Sequence, residues 1–135
     1  MSDSSSTDDI DAIRQKKAEE LQAKTQAPET PAEPIHIEST EHLQEIVDTH
    51  DVVLVDFYAD WCGPCKMLEP TMEELAAEGA ATIVKVDVDQ HQNLAQSNGV
   101  QGIPTLLLYA HGEQAKRLVG VQDKATLSSL IEEVA

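Results

Sequence analysis

The chain has 135 residues, 25 of them acidic and 9 basic, giving a formal net charge of −16 and a pI near 4.4. So few cations leave no footing for nucleic-acid phosphates and disfavour docking on anionic membranes. Aromatic residues make up 3% (Phe57, Tyr58, Trp61 and Tyr109), too few for base-stacking platforms, and no run approaches the ~18 apolar residues of a membrane span.

The composition shifts near residue 34. Residues 1–9 are rich in Ser and Asp and are expected to be disordered. Ile10–Lys24 is full of helix formers, but Lys17 interrupts its apolar stripe. A partly helical solvated tail is the preferred reading there, over a docked helix. Thr25–Pro34 has three prolines in ten residues and reads as an extended linker. Residues 1–34 are thus expected to be an acidic extension and 35–135 one folded domain. The acidic start has no hydrophobic segment behind it, so no secretory signal is read and a cytoplasmic location is expected. Structural disulfides are rare in that compartment.

Within 35–135 a short strand is expected at Ile35–Ser39. A helix follows over Thr40–Thr49, capped by Ser39 or Thr40, with Leu43, Ile46 and Val47 on one face. Val52–Ala59 is nearly all apolar and β-branched, the mark of a central strand covered on both sides. A helix is predicted from about Cys62 to Ala77, with Pro70 kinking it. Thr82–Val88 is the next strand, and His91–Asn98 a short helix ended by Gly99. Thr105–Ala110 and Glu113–Val119 flank His111-Gly112 as a hairpin. A last helix over Asp123–Val134 is capped by Asp123 and turns Leu127, Leu130, Ile131 and Val134 inward. This order predicts an α/β fold. Its mixed sheet is parallel in the first strands and antiparallel in the final hairpin, with helices on both faces.

Chemistry concentrates at Trp61-Cys62-Gly63-Pro64-Cys65-Lys66, between the central strand and its helix. Two cysteines three apart at a helix start can close a small disulfide ring. The free N–H groups there favour a thiolate, the form that attacks a disulfide. Cys62 is the more exposed candidate and Cys65 the shielded one. Cys62 is expected to attack and Cys65 to resolve the mixed disulfide. Asp56 sits within the doubly covered strand, where a carboxylate is costly unless it has a task or a partner.

The segment VDFYADWCGPCKMLEP resembles the active-site segment of thioredoxins, and GIPTLLLYAHGE resembles their later proline hairpin. The resemblance covers residues 35–135. It implies the thioredoxin fold and a protein-disulfide oxidoreductase using a reversible Cys62–Cys65 dithiol. Asp56 would be the proton acceptor beneath Cys65, acting through water, and Lys85 would approach that carboxylate. A snorkelling surface lysine is the plainer reading of Lys85. The Ile103–Pro104 bond would be cis and face the cysteines. Trp61, Gly63, Pro64, Ile103, Val119 and Gly120 would form a flat apolar docking surface, with Trp61 shielding Cys62. The Gly-Pro dipeptide between the cysteines is the reductase-type version. Tyr58 and Asp60 depart from the common Trp and Glu.

The resemblance implies disulfide-bearing targets and a separate reductase. The protein is expected to be a monomer, without bound cofactor or metal. Two other uses of the fold stay open: an interaction module, and a metal site bridging two chains, since two cysteines supply half of a structural zinc site. A thiol oxidase or isomerase is a third, redox alternative. Residues 35–135 carry 17 acids and 5 bases, a net −12. That surface reads as halophilic more than as merely soluble.

Overall fold

The computed structural model describes residues 30–135. The expectations for the first nine residues, for a helix over Ile10–Lys24 and for most of the linker lie outside the described residues. In chain order the elements are β1 (Ile35–His36), α1 (Thr40–Thr49), β2 (Val52–Tyr58), α2 (Gly63–Ala77), β3 (Thr82–Asp87), α3 (Gln92–Ser97), β4 (Thr105–Ala110), β5 (Glu113–Val119) and α4 (Lys124–Val134). The strands form one sheet in the order β1-β3-β2-β4-β5. β1 and β2 run parallel to β3, β4 runs antiparallel to β2, and β5 antiparallel to β4. This is the mixed sheet that the order of elements predicts.

β2 lies at the centre, and every residue from Val53 to Tyr58 is buried. The period-two alternation of a strand divides its side chains between two cores. Val53, Val55 and Phe57 pack with Leu43, Ile46 and Val47 of α1 and Leu94 of α3. Leu54 packs on the other face with Leu68, Met72 and Leu75 of α2 and Leu127 and Ile131 of α4. Each fully buried Leu, Val or Phe contributes about 1.5–3 kcal/mol of transfer free energy. Three such large residues fix α2 against the sheet. The same alternation turns Asp56 toward the α2 side.

The element ends follow local chemistry. β1 stops at His36, short of the expected Ser39. The Glu38 N–H donates to His42 Nδ1, and Ser39 Oγ accepts the His42 N–H as the cap of α1. A short side chain that can bond the nearby backbone ends the strand in favour of the helix. Pro70 lies inside α2, which runs unbroken from Gly63 to Ala77. The hairpin turn uses His111 at φ 53° and Gly112 at φ 84°, the two positive values that a tight twisted hairpin requires. Asp123 accepts the Thr126 N–H and caps α4. Leu127 and Ile131 are buried there, whereas Leu130 and Val134 are only partly so.

Candidate active site

β2 delivers the chain to Tyr58, and a short turn leads into α2. The Cys62 N–H donates to the Ala59 carbonyl at 3.1 Å, which closes that turn. Cys62 then stands as the N-cap of α2, with Pro64 in the first helical turn, where no N–H donor is needed. Cys62 and Cys65 form a disulfide with their Cα atoms 5.2 Å apart. The Cys65 N–H also points at the Cys62 sulfur, 3.2 Å away. Cys62 is 5% exposed and Cys65 1%, so Cys62 is the slightly more exposed residue of a largely sheltered pair.

Two further loops meet this turn. The Ile103–Pro104 peptide is cis, as the resemblance implies. The Ile103 carbonyl oxygen lies 3.9 Å from the Cys62 sulfur. The Gly120 N–H donates to the Pro104 carbonyl at 2.8 Å, and Gly120 adopts φ 95°, a left-handed backbone suited to glycine. Trp61, Gly63, Pro64 and Val119 are exposed here, and Ile103 and Gly120 half-buried. Pro104 itself is buried. Trp61 is 70% exposed, and its indole N–H donates to Asp89 at 2.9 Å. Asp89, and the exposed apolar side chains of Met67 and Val121, are absent from the sequence-predicted set. Met67 follows Pro64 by one helical turn and Val121 adjoins Gly120, and those spacings were signals that could have found them.

The ionisable part of the site is built on β2, β3 and α2. Asp56 is wholly buried, and neither carboxylate oxygen has a hydrogen-bond partner among the described residues. Burial pushes its carboxyl up to about 7, against the pull of Lys85, while Glu69 adds to the rise. Lys85 is in register with Asp56 on the neighbouring strand and is itself buried. Its ammonium, however, pairs with Glu69 at 3.5 Å and lies 4.3 Å from the Tyr58 ring centroid. The expected approach to Asp56 is thus made through the field, and the ion pair goes to Glu69. Sequence spacing contains a hint of this, because Glu69 follows Cys65 by four residues and shares its side of α2. The Tyr58 hydroxyl lies 3.4 Å from His36 Nδ1. Such a site can open and close a disulfide, with a buried group poised near neutrality to take a proton.

Among the described residues no three His, Cys, Asp or Glu side chains come together as a metal site, and no helix is long and apolar enough to cross a membrane.

The thioredoxin family model matches residues 33–133. A thioredoxin of Chlamydia caviae is 42% identical over 100 residues, spanning 73% of this chain and 97% of that protein. Thioredoxin 1 of a Nostoc species is 42% identical over 91 residues, spanning 66% of this chain and 85% of the relative. Among solved structures, a mutant thioredoxin from Halobacterium salinarum superposes with a TM-score of 0.75 at 50% identity, covering 78% of this chain and 93% of that one.

Proposed function

This chain belongs to the thioredoxin family and is a protein-disulfide oxidoreductase, and on that premise we propose how its residues divide the work. Cys62 is the attacking sulfur and Cys65 the resolving one. The observation that carries this is the position of Cys62 as N-cap, with the Cys65 N–H aimed at its sulfur. Once the disulfide is reduced, that N–H and the helix dipole stabilise negative charge on Cys62. The Cys62 thiolate attacks one sulfur of a target disulfide, forming a mixed disulfide and releasing the other target sulfur as a thiolate, which takes up a proton. Cys65 then loses its proton to Asp56, through a bridging water, and attacks Cys62. The second target sulfur leaves as a thiolate, which takes up a proton, and the Cys62–Cys65 bond closes, so two electrons have passed to the target. The test is insulin reduction with dithiothreitol: the intact chain should accelerate it, and Cys62→Ser should not.

Targets dock over Trp61, Gly63, Pro64, Ile103, Val119 and Gly120. An extended target segment would pair with the Ile103 backbone next to the Cys62 sulfur, adding a strand. Lys85 tunes Asp56, and Pro104 holds the Ile103 loop in place. Membership of the family implies disulfide-bearing targets and a reductase that returns the dithiol. We further propose that the protein acts as a single chain in the cytoplasm. The redox domain is residues 35–135, so a chain shortened to begin at Ile35 should reduce insulin at nearly the full rate. A halophilic origin is supported by the net −12 on those residues and by the half-identical halobacterial relative.

A further inference from the structure

Asp56 is surrounded by few charges. On β3 its register partner is Lys85, with Asp87 two residues on. On α2, Cys65 is held in the disulfide, and Glu69 lies one turn beyond it. On β2 itself Tyr58 follows by two residues, with His36 of β1 at its hydroxyl. On β4 the register partner is Leu106, which carries no charge. Among the described residues Lys85 is therefore the cation facing Asp56, and Glu69 and Asp56 are rivals for it.

Glu69 has the advantage. It lies 48% exposed beside a cavity of about 570 Å³ that Glu73 and Lys85 also line. Its charge stays hydrated there, whereas ionising Asp56 means charging a wholly buried group. The Tyr58 ring adds a second hold on the ammonium, at a separation within the range of cation–π attraction. The outcome is visible in the geometry: Lys85 pairs with Glu69 at 3.5 Å, while both Asp56 oxygens are left without a partner among the described residues.

We propose that Glu69 is a positioning residue for the proton step at Asp56, holding the Lys85 ammonium over the Tyr58 ring and off the buried carboxyl, and so setting the pH at which Asp56 can act as a base. Two effects point the same way. Glu69 withholds the cation that would favour ionised Asp56, and its own negative charge opposes that ionisation. Both add to the burial that holds Asp56 in its proton-bearing form up to neutrality. The effect on rate rests on Asp56 being the base for Cys65; the effect on Asp56 titration does not.

The experiment is a carbon-13 NMR titration of the Asp56 carboxyl in the full-length disulfide form, where Cys62 and Cys65 do not titrate. Glu69→Gln keeps the shape and removes the charge. It should lower the half-titration pH of Asp56 by about one unit, a tenfold change in proton affinity. In a Lys85→Met background the same substitution should produce less than half that shift. An Asp56 titration that does not move with Glu69→Gln overturns the proposal. So does an equal shift with and without Lys85, which would leave only a direct field. The pH dependence of insulin reduction is measured alongside. Its acid limb should move with the NMR midpoint. A midpoint that moves while the limb stays supports the hold of Glu69 on Asp56 and overturns Asp56 as the base.

Discussion

The sulfur of Cys62 and the carbonyl oxygen of Ile103 lie 3.9 Å apart, although 41 residues separate them in the chain. This brings the start of α2 against the loop that leads into β4. The backbone of Ile103 and the reactive sulfur can then meet the same extended target segment. Gly120 closes the group from the β5 side through its N–H bond to the Pro104 carbonyl.

Gly120 is the position at which a single added carbon should separate docking from chemistry. A Cβ there meets nothing among the described residues within 4 Å, so it would point into the space where the proposed docking surface receives a target. The φ of 95° also disfavours any side chain. Gly120→Ala should cost about 1–2 kcal/mol of stability, measured by denaturant unfolding. It should also raise KM for insulin several-fold while leaving the reaction with a small aromatic disulfide nearly unchanged. Equal losses on both substrates would place Gly120 outside the docking surface.

Asp56 should make the protein less stable as the pH rises. In the unfolded chain an aspartate titrates near its ordinary value of 3.8, but burial raises it to about 7 in the fold. The folded state therefore binds the proton more tightly. Its penalty is absent below about pH 4, grows through the interval, and is complete above about pH 7. A rise of that size corresponds to about 4 kcal/mol. Asp56→Asn should thus match the parent near pH 4 and exceed it by a few kcal/mol at pH 8 in urea unfolding. The same variant should reduce insulin more slowly at pH 7. Equal stability of the two proteins across pH 4–8 would show that the carboxyl is not desolvated.

Much of this site was legible in the sequence, and the reasons differ by residue. The apolar run of β2 made Asp56 conspicuous, because a carboxylate within a doubly covered strand is costly unless it has a task or a partner. Cys62 and Cys65 are close in the chain, so a helix start places both. The Ile103–Pro104 loop is distant in sequence, and only resemblance to a family tied it to the cysteines. The partner of Lys85 was legible only as a hint in the spacing of Glu69 from Cys65. Its ammonium sits at the end of a long stem, and strand register fixes where that stem begins rather than where it ends. Glu69 on α2 and Asp56 on β2 were both within its reach, and hydration decided between them. Leu130 and Val134 show the same limit on a helix, since periodicity set their side of α4 but not their depth.

The acidic surface should make stability depend on salt. A net −12 over residues 35–135 implies self-repulsion in the compact state. The screening length is about 10 Å at 0.1 M and about 3 Å at 1 M, so most of that repulsion is removed over this range. The melting temperature should rise by about 10 °C or more between 0.1 and 2 M, alike in NaCl and KCl, with the disulfide intact. A flat melting temperature across the chloride series would remove the halophilic assignment and leave the redox assignment untouched.

The central claim is the division of roles between Cys62 and Cys65, and trapping tests it most directly. Each single-serine variant is mixed in its reduced form with a protein disulfide, quenched with acid, and run without reductant. With Cys65→Ser, the Cys62 thiolate can attack but nothing resolves the product, so a mixed disulfide through Cys62 should accumulate to near one per chain. With Cys62→Ser, insulin reduction should fall to background and the mixed-disulfide band should be absent. A band that forms with Cys62→Ser and is missing with Cys65→Ser would reverse the assignment and contradict the account.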